Sequence, residues 1–213
     1  MSDVRVIKAA LLGAGTVGSG VYDILQWQKD EMPKKLGAVV ELKKILVRNT
    51  KKPREGMDSS LFTDNWKEIL DDPEIEIVIE VMGGIEPAKT YITEALHAGK
   101  HVVTANKDLL AEHGKEVLDA AEEHGCDLMF EAAVAGGIPI IRPLKQCLAA
   151  NHLTEVMGIV NGTTNYILTK MTKDHMEFAD ALALATELGY AEADPTADVE
   201  GYDAARKVAI MAS

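Results

Sequence analysis

Cysteine is nearly absent from this chain. Only Cys126 and Cys147 occur in 213 residues, with no CxxC spacing and no histidines at metal-ligand intervals. That pattern excludes a disulfide framework and a structural zinc site, and reads as two thiols in a reducing compartment. Positive charge is in deficit too: 22 Lys and Arg stand against 34 Asp and Glu, a formal net charge of −12. Such a balance argues against nucleic acid or an anionic membrane as the main partner, although a local basic patch can still hold a phosphate. No run of about 18 apolar residues exists, and the amino end, MSDVRVIK, has no apolar h-region, so neither a spanning helix nor a secretory signal is expected. The cytoplasm is the expected location. What is present is ordinary for a folded protein, 47% hydrophobic and 26% charged residues, in a chain long enough for one large core or for one complete domain and part of another.

The stretch from Val4 to Gly20, VRVIKAALLGAGTVGSG, organises the rest. An apolar run, Ala9 to Leu12, meets Gly13-Ala14-Gly15-Thr16-Val17-Gly18, and a helical pattern from Val21 follows at once. Strand, tight turn and helix in that order form a dinucleotide site. Gly13 allows the turn, Gly15 lets backbone approach a pyrophosphate, and Gly18 lets the helix pack on the strand, with the phosphates over free N–H groups at the helix N-terminus. A glycine-rich turn that merely packs is the competing reading. The second predicted strand, Val39 to Val47, ends in Arg48-Asn49-Thr50-Lys51-Lys52 with no acid. NAD sites commonly place an acid there, roughly 20 residues beyond the glycines, to hold the ribose 2′-OH. Its absence favours a 2′-phosphate on Arg48, hence NADP(H) over NAD(H), against the alternative of a solvated basic loop.

Beyond this point the pattern repeats. A short helix around Trp66, Ile69 and Leu70 is capped by Thr63 or Asp64, and strands follow over Ile75–Val81, Lys100–Thr104 and Asp127–Glu131. Between them lie helices opened by Pro87 and closed by Gly99, and from about Asp108 to His124. Repeated βα units with short connections predict an α/β fold, a doubly wound parallel sheet with helices on both faces. Ligands in such sheets lie beyond the carboxyl ends of the strands, which draws Thr104, Lys107 and Glu131 toward one crevice. Lys107 is placed either to meet a substrate oxygen or to sit on the surface of an ordinary loop. Glu131, ahead of the small-residue loop AAVAGGIP, either joins main-chain carbonyls around a hard cation or caps a helix.

From Ile140 the pattern changes. A short helix is predicted over Pro143–Leu148, a strand over Leu153–Val160, a polar turn over Asn161–Asn165, and a helix over Met176–Leu188 that buries Phe178, Leu182, Ala185 and Leu188. An acidic loop then runs from Tyr190 to Gly201, followed by a helix from Tyr202. Asp203 and Lys207 are four apart on one face of that helix. They form either an exposed ion pair of little energetic weight or a carboxylate that orients a lysine in a cleft, with Glu192 on the loop before them to hold a substrate ammonium.

Five stretches carry a resemblance to a known family: LLGAGTVGSGV, VVTANK, EAAVAGGIPII, GIVNGTTNYIL and ELGYAEADPTADVEGYDAARKVAI. Together they span nearly the whole chain, which resembles the homoserine dehydrogenases. These NAD(P)-dependent oxidoreductases interconvert L-aspartate 4-semialdehyde and L-homoserine in threonine, methionine and isoleucine biosynthesis. The resemblance implies a Rossmann-type NAD(P)-binding domain over residues 1–139. Residues 140–213 are then the first part of an α+β substrate and dimerisation domain, incomplete because family members continue well past Ser213. It further implies that Gly13, Ala14, Gly15, Thr16, Val17, Gly18, Arg48, Thr104 and Lys107 contact the dinucleotide, that Glu192, Asp198, Asp203 and Lys207 bind substrate, and that Lys207, Asp203 and Lys107 carry the chemistry. A sodium ion held by Glu131 with Val134, Gly136 and Ile138, and a homodimer of the full-length protein, are also implied. The sister semialdehyde dehydrogenases need a loop cysteine as nucleophile, and neither Cys126 nor Cys147 is placed as one. A dinucleotide-binding sensor without turnover is the non-enzymatic alternative.

Overall fold

The computed structural model of the chain describes residues 4–192 and 194–213. Ala193, inside the predicted Tyr190–Gly201 loop, and the first three residues lie outside the described residues. The chain divides into two compact units, Met1–Ala133 and Val134–Ser213.

The first unit is built on six parallel strands, β1 (Arg5–Leu12), β2 (Ala38–Leu46), β3 (Phe62–Thr63), β4 (Ile75–Glu80), β5 (His101–Thr104) and β6 (Leu128–Met129), in the spatial order β3-β2-β1-β4-β5-β6. This is the order of a doubly wound dinucleotide-binding sheet, and its direction reverses between β1 and β4. The reason is legible in β1, whose residues Ala9 to Leu12 are wholly buried. A strand covered on both faces reads as a continuous apolar run, as these four residues do. Leu11 pairs with Ile45 on one side and Ile79 on the other, and with Ile45 it joins Tyr22, Val47 and Phe62 in one apolar cluster.

Helices α1 (Thr16–Trp27), α2 (Met32–Leu36), α3 (Lys67–Leu70), α4 (Ala88–His97) and α5 (Lys107–Glu123) make the crossovers. The predicted cap of α3 is corrected. Neither Thr63 nor Asp64 caps it; the Asn65 carbonyl oxygen Oδ1 accepts from Lys67 N at 3.1 Å, and Thr63 Oγ1 accepts from Asn65 N. β6 is also shorter than predicted, because Glu131–Ala133 already forms a 3-10 turn.

The second unit holds a π-helical turn at Pro143–Cys147 and helices α6 (Gly162–Asp174), α7 (Phe178–Glu187), α8 (Thr196–Val199) and α9 (Tyr202–Ala212). Two expectations fail here, and a third holds in part. The predicted strand 153–160 belongs to no ladder among the described residues, and without a partner its backbone groups cannot form a sheet; Leu153, Val156, Met157 and Ile159 stay exposed. The polar turn at Asn161–Asn165 is the start of α6, because Asn161 Oδ1 accepts from Thr164 N at 2.8 Å and so caps the helix. On α7 the expectation holds for Ala185, buried with Ala181 against Ile167 of α6, and for Leu182, which packs on the same cluster, whereas Phe178 and Leu188 are exposed. Small residues let the two helices approach closely. No helix among the described residues is long and apolar enough to cross a membrane.

Candidate functional site

At the reversal point of the sheet, the ends of β1, β2 and β4 open into a cleft of about 460 Å³. Its wall includes Gly13, Ala14, Gly15, Arg48, Arg54, Asp64, Met82 and Tyr91. Gly13 adopts φ +100°, and a Cβ there would lie 3.0 Å from the Val81 carbonyl oxygen, so only glycine makes this turn between β1 and β4. A Cβ on Gly18 would stand 2.1 Å from the Gly13 carbonyl oxygen. Gly18 is therefore the point where α1 closes on the strand. Gly15 differs, since nothing lies within 4 Å of a Cβ built on it and it borders the open cleft. It occupies the N-cap of α1, with no side chain bonded to the first-turn N–H groups and no acid in that turn. Those donors and the helix dipole are available to an anion.

Of the residues assigned to the dinucleotide, Gly13, Ala14, Gly15 and Arg48 share this cleft; Thr16, Val17, Gly18, Thr104 and Lys107 are not on its wall. Arg54 is on it and was not foreseen. Lys51 and Lys52 carry the more obvious charges but are exposed, while Arg54 folds back through Nη1 onto the carbonyls of Asn49 and Lys52 and sets its guanidinium 5.0 Å from the Phe62 ring centre. Two guanidinium groups thus border the end of the cleft that β2 supplies. The signal was faint, one arginine past Pro53 in a loop with no periodicity. Asp64, just after β3, is the acid on the same wall.

Thr104 closes β5 with its hydroxyl donated to Glu80 Oε2 at 2.6 Å, and Lys107 begins α5, whose N-cap is Asn106. Glu131 opens its 3-10 turn in the first unit; Val134 is buried, and Gly136 and Ile138 are exposed, in the second. No group of three or more His, Cys, Asp or Glu among the described residues is arranged to hold a metal ion.

The second unit contains a distinct polar cluster. Lys207 Nζ donates to Asp203 Oδ2 at 2.6 Å and to the Val160 carbonyl at 2.7 Å. Asp203 and Lys207 side chains are only 8% and 18% exposed, so this is no solvated helix pair. Asn161, which the sequence reading treated as part of a turn, holds the cluster together. Its Oδ1 caps α6, and its amide Nδ2 donates to Asp203 Oδ2 at 2.8 Å and to Asp198 Oδ1 at 2.7 Å. One amide therefore fixes two carboxylates, one of which grips the lysine. The available signal was a cap motif, Asn161 followed three residues later by Thr164, whose N–H and hydroxyl both bond to it. Glu192 lies exposed on the loop before α8.

A partly buried lysine bonded to a carboxylate can deliver or accept a proton at an oxygen placed beside it, and an open helix N-terminus in a cleft whose wall also holds two arginines suits a phosphorylated nucleotide. Comparison with known proteins agrees. The family described as homoserine dehydrogenase, NAD binding domain, matches residues 13–131, and the homoserine dehydrogenase family matches residues 139–213. A homoserine dehydrogenase of Bacillus subtilis is 51% identical over 210 residues, 98% of this chain and 48% of that protein. The crystal structure of a homoserine dehydrogenase from Thiobacillus denitrificans superposes with a TM-score of 0.89 at 46% identity, covering 96% of this chain and 47% of that one. A hyperthermophilic archaeal homoserine dehydrogenase in complex with NADPH aligns at 26% identity with a TM-score of 0.83, covering 97% and 69%. The chain thus spans about half the length of the Bacillus relative, and it belongs to the homoserine dehydrogenase family.

Proposed function

We propose that the full-length protein carrying this chain catalyses the reversible reduction of L-aspartate 4-semialdehyde to L-homoserine with NADPH, and in the cell works in the cytoplasm in the biosynthesis of threonine, methionine and isoleucine. The observation that carries the chemistry is the buried Asp203–Lys207 pair with Asn161 and the Val160 carbonyl around it.

The dinucleotide, when bound, supplies or removes the hydride. Gly13, Ala14 and Gly15 with the α1 N-terminus bind its phosphates, and the space beside Gly15 together with the unfilled first turn of the helix supports that fit. Arg48 and Arg54 bind the 2′-phosphate, which favours NADPH over NADH. As the aldehyde is reduced, negative charge grows on its oxygen; Lys207 stabilises it and gives the proton, and Lys107 adds positive potential. Asp203 and the Val160 carbonyl hold the lysine amine in place, and Asn161 holds Asp203. Glu192 and Asp198 bind the substrate ammonium. In oxidation Lys207 accepts the alcohol proton.

Glu131 with the main-chain carbonyls of Val134, Gly136 and Ile138 holds a sodium ion that orders this loop. Support comes from Ala135 and Gly136, both left-handed (φ 59° and 57°), which make this an irregular segment of the kind whose main-chain carbonyls serve as ligands of hard cations. The full-length protein is a homodimer.

Steady-state assay of the full-length protein tests the reading. L-Homoserine with NADP is expected to yield reduced cofactor, with L-serine a far poorer substrate. No turnover in a protein that binds NADPH would contradict it.

A further inference from the structure

Glu80 ends β4 with its side chain completely buried. A carboxylate in the middle of a parallel sheet is costly to desolvate, and an apolar residue would fill the site at less cost. Both of its oxygens are bonded, one within its own loop and one across to the end of β5. Oε1 accepts from the Met82 N–H at 2.7 Å, and Oε2 accepts from the Thr104 hydroxyl at 2.6 Å. The Thr104 oxygen, 2% exposed as a residue and with its one proton committed to Glu80, accepts from the Asn106 N–H at 3.0 Å. Asn106 then closes the circuit, donating from Nδ2 to the Gly84 carbonyl at 2.6 Å while its Oδ1 caps α5 by accepting from Leu109 N. The carboxylate and the Gly84 carbonyl only accept and the backbone N–H groups only donate, so the Thr104 hydroxyl proton is directed to Glu80 and the Asn106 amide to Gly84.

Resting on the dehydrogenase reading above, we propose that Glu80 is a positioning residue for the reaction. It clamps the loop after β4 to the loop after β5, and so fixes the Met82 backbone on the cleft wall and the first turn of α5 that begins at Lys107. The adenosine-binding groups, Arg48 and Arg54, lie on loops that the clamp does not touch. Its loss is therefore felt at the reacting end of the cofactor rather than in overall affinity.

Glu80→Gln in the full-length protein tests this. The amide oxygen can still accept from Met82 N, but its NH2 faces the Thr104 hydroxyl as a donor, and the displaced hydroxyl proton has no acceptor in a buried site. Misplacement of reacting groups by an ångström costs up to about 100-fold, so kcat for homoserine oxidation is expected to fall roughly 10–100-fold. NADPH affinity by fluorescence titration is expected to stay within about threefold. Thr104→Val removes the same bond and also the acceptor of the Asn106 N–H, so kcat is expected to fall at least as far as in Glu80→Gln. Should Glu80→Gln not fold, Asn106→Ser, which keeps a side-chain oxygen at the N-cap of α5 and loses the Nδ2 bond to the Gly84 carbonyl, carries the same kcat-against-affinity comparison. A kcat within about twofold of wild type, or cofactor affinity falling in parallel with kcat, overturns the proposal. Wild-type protein that binds NADPH and never turns over homoserine overturns the functional reading and this proposal with it; active wild type with an unaltered Glu80→Gln variant overturns the proposal alone.

Discussion

Replacing Lys207 with alanine separates two quantities that the proposed function places on one side chain. The amine makes two short bonds, to Asp203 at 2.6 Å and to the Val160 carbonyl at 2.7 Å, in a site where Asp203 is 8% exposed. Removing one member of a buried pair costs about 3–5 kcal/mol because the other charge stays behind. Asn161 still donates to Asp203 Oδ2 at 2.8 Å, so the lower end, about 3 kcal/mol, is expected here. At roughly 2–4 °C per kcal/mol in a domain of 150–250 residues, thermal denaturation resolves that loss easily. Catalysis responds on another scale: loss of a general acid lowers kcat by roughly 10²–10⁴-fold, while NADPH affinity is expected to hold, since no cofactor phosphate depends on this amine. Steady-state kinetics in both directions, with NADPH titration and melting curves on the same samples, give all three numbers. The reasoning is refuted if Lys207→Ala keeps near-normal kcat while Lys107→Ala abolishes it; the proton would then come from the start of α5.

Arg48→Ala is expected to weaken NADPH by roughly 10–100-fold, the worth of one charge-assisted phosphate contact, with little change for NADH. Equal losses in parallel titrations would remove the 2′-phosphate from the guanidinium. Gly15→Ala is expected to leave the melting temperature unchanged and to impair dinucleotide binding, because its new methyl meets only cleft space. Gly18→Ala is expected to destabilise the fold itself, with a Cβ placed 2.1 Å from the Gly13 carbonyl oxygen; the reverse ranking in melting curves would contradict the account of the turn. The Lys43 ammonium, 2.6 Å from Asp72, holds the Asp72 carboxyl below the usual aspartate range. A lowered folded value means stability that is present above the unfolded pKa, about 4, and is lost as pH falls through the folded one. Asp72→Asn is expected to flatten that part of the acid-denaturation profile, and an unchanged profile would show that the pair contributes nothing.

What could be read from the sequence was local. β1, the glycine turn and α1 follow one another without a gap, and each is specified by neighbours within a few residues. Pro87 and Gly99 bracket α4 for the same reason. The features that escaped depend on partners far along the chain. Asn161 looks like a turn residue until α9 folds against it, 42 positions away, and Glu80 looks like one more acid in the alternating run IEIVIE until Thr104 arrives from 24 positions on. Arg54 is held at the cleft by the Asn49 and Lys52 carbonyls and by the Phe62 ring, partners that no local pattern announces. The strand expected at 153–160 failed in the opposite sense, since its local β-propensity was real but no described segment pairs with it. The packed face of α7 was legible at Leu182 and Ala185, and it stops short of Phe178 and Leu188, which stand at the two ends of the helix.

The central claim is hydride transfer between the hydroxyl-bearing carbon of homoserine and the nicotinamide. Incubating the full-length protein with NADP and L-homoserine deuterated at that carbon, and reading the reduced cofactor by mass spectrometry and NMR, tests it directly. Deuterium on the nicotinamide C4, one per cofactor and on a single face, is the result expected. Reduced cofactor without the label, or label lost to solvent, would contradict the account.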